Sequence, residues 1–142
     1  MSQAGSRGDL PFEVMRLANA IVRELVPLAA RHDLTPQQAA ILMRLEGVDE
    51  PPTLAALGRA LSVSKQNITG MVARLVDAGL LRRDGDPSDA RASRLTLTRK
   101  GAGVVRALRP AIDAWAARWV ERVGAGGAEE LVARLIAGVE EE

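Results

Sequence analysis

The chain has 142 residues, a formal net charge of +1, one histidine and no cysteine. That length fits one domain with a sizeable core; the missing thiols exclude disulfides, thiolate metal sites and thiol-based redox sensing, and a lone histidine argues against a zinc site. A composition that is 47% hydrophobic but only 2% aromatic favours helices packed through Ala and Leu over an aromatic-rich sheet.

Met1 to Asp9 are small and polar and are expected to be disordered. There is no basic-plus-apolar leader and no long uncharged apolar run, so the expectation is a soluble, cytoplasmic protein that does not engage a membrane. A first helix is predicted from Leu10 to about His32, with Phe12, Met15, Ile21, Val22, Leu25 and Leu28 at helical spacing. His32, at its end, suits a capping or polar-core role beside the helix dipole. Thr35 opens a second helix, with Pro36 at its first position and Gln38 completing a capping box. Ile41, Leu42 and Leu45 face inward and Gly47 ends it; the acidic stretch VDEPP follows as a connector.

Thr53 caps a third, short helix with Leu54, Leu57 and Leu61 on one face, ending at Ser62 and Val63. Ser64 caps a fourth helix, whose apolar stripe is Ile68, Val72, Leu75 and Val76 and whose stop is Gly79. Lys65, Gln66, Asn67, Thr69 and Arg74 point away from that stripe, clustered mostly in the first turns. These types donate to phosphates or pair with purine edges, and a recognition helix reads bases with its N-terminal residues. Taken alone, the same residues also describe a solvated helix face.

Leu80 and Leu81 begin a strand, and Leu95 and Leu97 alternate with Arg94, Thr96 and Thr98 in a second. The intervening DGDPSDAR is turn chemistry, flanked by Arg82, Arg83, Arg91 and Arg94. A basic hairpin beside a recognition helix is a wing. Thr98 caps a fifth helix that continues to about Val123, with Val105, Leu108, Ile112, Trp115 and Trp119 forming a stripe close to a coiled-coil seam. Ala111 and Ala116 leave room for another helix. Trp115 and Trp119 suggest a ligand pocket, but their place in the stripe reads as core or interface. After a break at Gly124 to Gly127, a sixth helix from Ala128 to about Glu140 is expected to bury Leu131, Leu135, Ile136 and Val139. The first, fifth and sixth helices carry more apolar surface than a lone winged helix needs, so an intertwined homodimer is expected.

The charge is unevenly spread. From Thr53 to Lys100 nine Arg and Lys stand against four Asp and Glu, a local +5, while each flank carries five against seven, a local −2. The excess falls on the fourth helix and hairpin, as a nucleic-acid footprint would.

The segments LTPQQAAIL (Leu34 to Leu42), GLLRR (Gly79 to Arg83), DPSDAR (Asp86 to Arg91) and LTRKG (Leu97 to Gly101) closely resemble the MarR family of winged helix-turn-helix regulators, in order and spacing across nearly the whole chain. The resemblance implies one mainly α domain over residues 1–142 with a small β wing, its winged helix-turn-helix lobe at 35–98 and dimerisation helices at 10–32 and 99–140. It implies double-stranded DNA as partner, repression of nearby genes, and relief by a small, often aromatic or phenolic, effector bound between the dimer and DNA-binding regions. The DNA-contacting set is then Ser64, Lys65, Gln66, Asn67, Thr69, Arg74, Arg83, Asp89 and Arg91. Asp89 and Arg91 match the family's D-x-R pair, in which the Asp braces the Arg toward the minor groove; a local ion pair that only shapes the hairpin is the alternative. No catalytic residue, metal or cofactor is expected, because the acidic residues form no pocket-like grouping. A winged-helix module that docks on protein rather than DNA is the competing function, and it would replace the basic surface by an exposed apolar patch.

Overall fold

The computed structural model describes residues 7–86, 89–124 and 127–140, and within them side chains other than those at 7, 86, 89–92, 123, 128 and 140. A single 3-10 turn at Arg7–Asp9 precedes α1 (Leu10–Ala30), α2 (Pro36–Arg44), α3 (Leu54–Ala60), α4 (Lys65–Asp77), β1 (Leu81–Asp86), β2 (Asp89–Leu97), α5 (Arg99–Val123) and α6 (Ala128–Glu140). The fold is therefore mainly helical with a two-stranded antiparallel wing. The chain divides into two compact units, Met1–Leu108 and Arg109–Glu142. The expected disorder over Met1 to Asp9 is corrected at its end, where Arg7–Asp9 adopts the turn and leads into a helix with Pro11 in its first turn; residues 1–6 lie outside the described part.

Local chemistry sets the helix boundaries. Thr35 caps α2 through its hydroxyl, which accepts from the Gln38 amide at 3.2 Å, while Gln38 Oε1 accepts from the Thr35 amide at 3.0 Å. Thr53 and Ser64 cap α3 and α4 in the same way, accepting from the amides of Ala56 and Asn67. At the end of α4, Gly79 adopts φ +74°, and the amides of Gly79 and Leu80 return to the carbonyls of Val76 and Leu75. This Schellman closure satisfies two of the carbonyls that a helix end leaves without partners. Leu80 therefore belongs to the helix stop, and β1 starts one residue later than the sequence pattern suggests.

The first unit holds the core, formed by Ile41, Leu42, Leu57, Ile68, Val72, Leu75, Leu95, Val105 and Leu108 among others. Each such side chain contributes about 1.5–3 kcal/mol by leaving water, so α2, α3, α4, the wing and the start of α5 are fixed against one another. Leu54, Leu61 and Val76 are only half-buried. Residues Pro51–Thr53 extend the wing: the Leu95 amide donates to the Pro52 carbonyl at 2.9 Å, and Thr53 bridges Arg94. The wing is sealed to α4 and α5 by Thr98, whose hydroxyl donates to the Gly79 carbonyl at 2.6 Å and accepts from the Gly101 amide at 3.0 Å, and by Lys100, whose Nζ donates to the Ala78 carbonyl at 2.9 Å.

The sixth helix does not bury its stripe within the chain. Leu131, Leu135, Ile136 and Val139 are all exposed, Val139 at 80%, as are Phe12, Met15 and Val22 on α1. The amphipathic pattern is real, and these side chains are exposed among the described residues.

Gly101 and Gly70 should respond oppositely to alanine. A Cβ on Gly101 meets the backbone of Leu80, which cannot move aside, whereas one on Gly70 meets nothing within 4 Å. Gly101→Ala should lose on the order of 1–3 kcal/mol by overpacking, and Gly70→Ala should gain roughly 0.5–1 kcal/mol from the lower entropy of the unfolded chain, both read by urea denaturation.

Candidate nucleic-acid interface

Burial of Ile68, Val72 and Leu75 turns the opposite face of α4 to solvent, and Lys65, Gln66, Asn67, Thr69 and Arg74 are all exposed on it. They are not equally free to bind. The Thr69 hydroxyl donates to the Lys65 carbonyl at 2.6 Å, which spends its one proton inside the helix and leaves only acceptor capacity. Ser64 uses its hydroxyl oxygen on the Asn67 amide at 3.3 Å, so its first role is to start the helix.

Beside this face lies an open groove of about 550 Å³ lined by Gln66, Asn67, Met71 and Arg74 of α4 and by Gln37 of α2. Sequence reasoning missed Gln37. The signal was present: in the first turn of α2, Thr35 and Gln38 are consumed by the capping box, and Gln37 is the exposed amide left over.

The wing separates two arginines that look equivalent in sequence. Leu81 pairs with Leu97 and Arg83 with Leu95, while Arg82 pairs with Thr96 and Asp84 with Arg94. Cross-strand partners share a face, so Arg83 projects on the leucine side and Arg82 on the other. Arg82 Nε and Nη2 donate to Asp84 at 2.8 and 3.1 Å, and the Thr96 hydroxyl donates to the same carboxylate at 3.3 Å. The Arg82 hydrogen bond holds the Asp84 carboxyl below its usual range and in return raises the guanidinium. Arg94 is tied to the Pro51 carbonyl at 3.2 Å. Arg83 makes no ion pair with any described residue. Asp89 and Arg91 contribute their backbones to β2, with Asp89 opposite Asp86 at the tip; their side chains, and with them the D-x-R brace, lie outside the described residues.

A helix-turn-helix with a wing packed behind its second helix defines the winged helix-turn-helix fold. The model of the MarR family matches residues 32–92. The transcriptional regulator HosA of Escherichia coli O111:H- is 28% identical over 131 residues, covering 86% of this chain and 96% of HosA. Among solved structures, the repressor CouR bound to a 23-mer DNA duplex superposes with TM-score 0.79 at 22% identity over 99% of both chains. The DNA complex of Staphylococcus aureus MepR gives TM-score 0.80 at 18% identity, over 93% of this chain and 96% of MepR. A S. aureus MarR in complex with salicylate and kanamycin gives 0.70 at 15% identity, over 94% of this chain and 89% of the other. Over residues 32–92 the chain thus matches the MarR family, and its fold is that of solved winged-helix regulators.

Ser64 offers a clean separation of capping from binding. Ser64→Ala should cost about 0.5–2 kcal/mol of stability, measured by urea denaturation, whereas Ser64→Asp should keep the cap and the stability while placing a carboxylate at the mouth of the groove.

Proposed function

We propose that this protein is a dimeric, ligand-responsive repressor that binds a pseudo-palindromic operator in the cytoplasm. The observation that carries the reading is the solvent face of α4: Lys65, Gln66, Asn67 and Arg74 stand together with no acidic residue lining the groove beside them. Gln66 and Asn67 lie in the first turn, where a planar amide can meet an adenine edge with two hydrogen bonds. Gln37 and Arg74 flank them as phosphate or base contacts, and Lys65, Arg83 and Arg91 supply positive charge toward the backbone and minor groove. In this reading residues 35–98 are the DNA-reading lobe and residues 10–32 and 99–140 the dimerisation helices. The uncovered leucines, isoleucine and valine of α6 and the exposed Leu10, Phe12 and Met15 of α1 favour a partner copy, since so much apolar surface is rarely left in water. A two-fold axis then sets half-sites about 34–36 Å apart. A docking module for protein is disfavoured, because the exposed large hydrophobics among the described residues lie on α1, α6 and at Val48 and Val120, with none from α3 through β2.

The test is binding to the DNA immediately upstream of the protein's own gene, followed by a ligand screen for release. Affinity for that fragment should exceed that for random duplex and should fall steeply with salt, as several phosphate contacts demand; equal affinity for random duplex with a flat salt response defeats the proposal. Gln66→Ala or Asn67→Ala should cost about 1–3 kcal/mol on the preferred operator and narrow its advantage over altered sites. Arg91→Ala should weaken all sequences alike and reduce the salt slope by about 1. Removing residues after Val123 deletes α6 and should abolish dimerisation, read by sedimentation.

A further inference from the structure

Gly70 stands in the middle of α4, where glycine is destabilising relative to alanine because it loses more freedom on folding and offers no side chain to pack. The fold accounts for other glycines of the same unit. Gly79 takes φ +74° at the end of α4, Gly101 is packed where a Cβ would meet the Leu80 backbone, and a Cβ on Gly58 would stand 3.3 Å from Ile68 Cγ2 and from the Val63 carbonyl oxygen. Gly70 has none of these reasons. Its backbone is helical, it is exposed, and among the described residues a Cβ there would meet nothing within 4 Å.

Its surroundings say what the open space suits. Gly70 lines the groove beside α4, with Gln66 and Asn67 four and three residues before it and Arg74 four after, so these three side chains ring it on one face. Met71, half-buried, adds an apolar wall. A rim of amide and guanidinium donors around a bare apolar floor matches the major-groove edge of an A·T pair. There adenine offers N7 and N6, and thymine offers its C5 methyl, the one apolar group on the base edges of that groove.

We infer that Gly70 is the seat of a thymine methyl group. Resting on the regulator reading above, α4 approaches one A·T pair in each half-site so closely that Gly70 Cα and Met71 enclose the methyl while an amide of the rim takes an adenine edge. A side chain at residue 70 would hold the helix away from the bases. A cytosine at the same position carries no methyl and turns an N4 donor toward an apolar floor that cannot accept from it. Gly70 therefore sets specificity at the expense of helix stability, and the two pull in opposite directions at this residue.

The test uses the full chain and an operator recovered from a random duplex library. Replacing each thymine in turn by deoxyuridine removes one methyl group and nothing else. One position in each half-site should lose roughly three- to fourfold in affinity, the effect of exposing a single buried carbon. Gly70→Ala should raise the urea midpoint yet weaken that operator at least about fivefold, a loss comparable to one mismatched base pair, while affinity for random duplex stays unchanged. With deoxyuridine at the sensitive position the penalty of the alanine should shrink, because the absent methyl makes room for Cβ. Gly70→Ala binding the thymine operator as tightly as the parent overturns the inference, and so does an equal penalty on the thymine and deoxyuridine operators. Either result leaves the regulator reading standing, since a preferred operator is in hand; recovery of no preferred sequence defeats both.

Discussion

Burial of Ile68, Val72 and Leu75 is the constraint on which the rest of this structure depends. A helix that commits one stripe to a core has no freedom about its opposite face, so packing alone presents Lys65, Gln66, Asn67 and Arg74 together. The stripe is held at both ends, by the Ser64 cap and by the Schellman closure at Gly79, so the helix neither frays nor slides. Thr98 and Lys100 then carry the constraint onward, because they bond to the carbonyls at the end of α4 while starting α5. The LTRKG segment is thus a clamp joining α4, the wing and the start of α5. Gly101 is its tightest point, packed where only hydrogen fits against Leu80.

The wing shows how a strand ladder sorts charge. Adjacent residues point to opposite faces, so Arg82 is neutralised locally by Asp84 while Arg83 stands on the leucine side. Both members of the Arg82 and Asp84 pair are solvated, and its contribution to stability is small. Its consequence lies in charge: of the two arginines, only Arg83 offers its full positive charge to an anion. The local +5 of the central segment is therefore an upper bound on the charge available to a ligand or a phosphate.

The core runs from Ala29 to Leu108 and stops there. Beyond it, Ile112, Trp115 and Trp119 are half-buried, the two indoles with ring centroids 5.4 Å apart, and α6 is exposed throughout its described side chains. One part of the chain folds around a complete core, while the apolar faces of α6 and α1 stay exposed. Those exposed faces are what supports the proposed dimer.

By itself the sequence determined the helix caps, the buried stripes of α2 and α4 and the order of elements, because these rest on short-range chemistry: a hydroxyl beside an amide, a glycine at positive φ, apolar residues three and four apart. It also marked the exposed donors of α4. Tertiary structure decided what short-range chemistry does not encode. The strand register separated Arg82 from Arg83, and the approach of α2 to α4 brought Gln37 beside Gln66 and Asn67. The same physics explains the misplaced burial of α6. An amphipathic period states that a face is apolar, and only the packed chain reveals whether anything within it is available to cover that face.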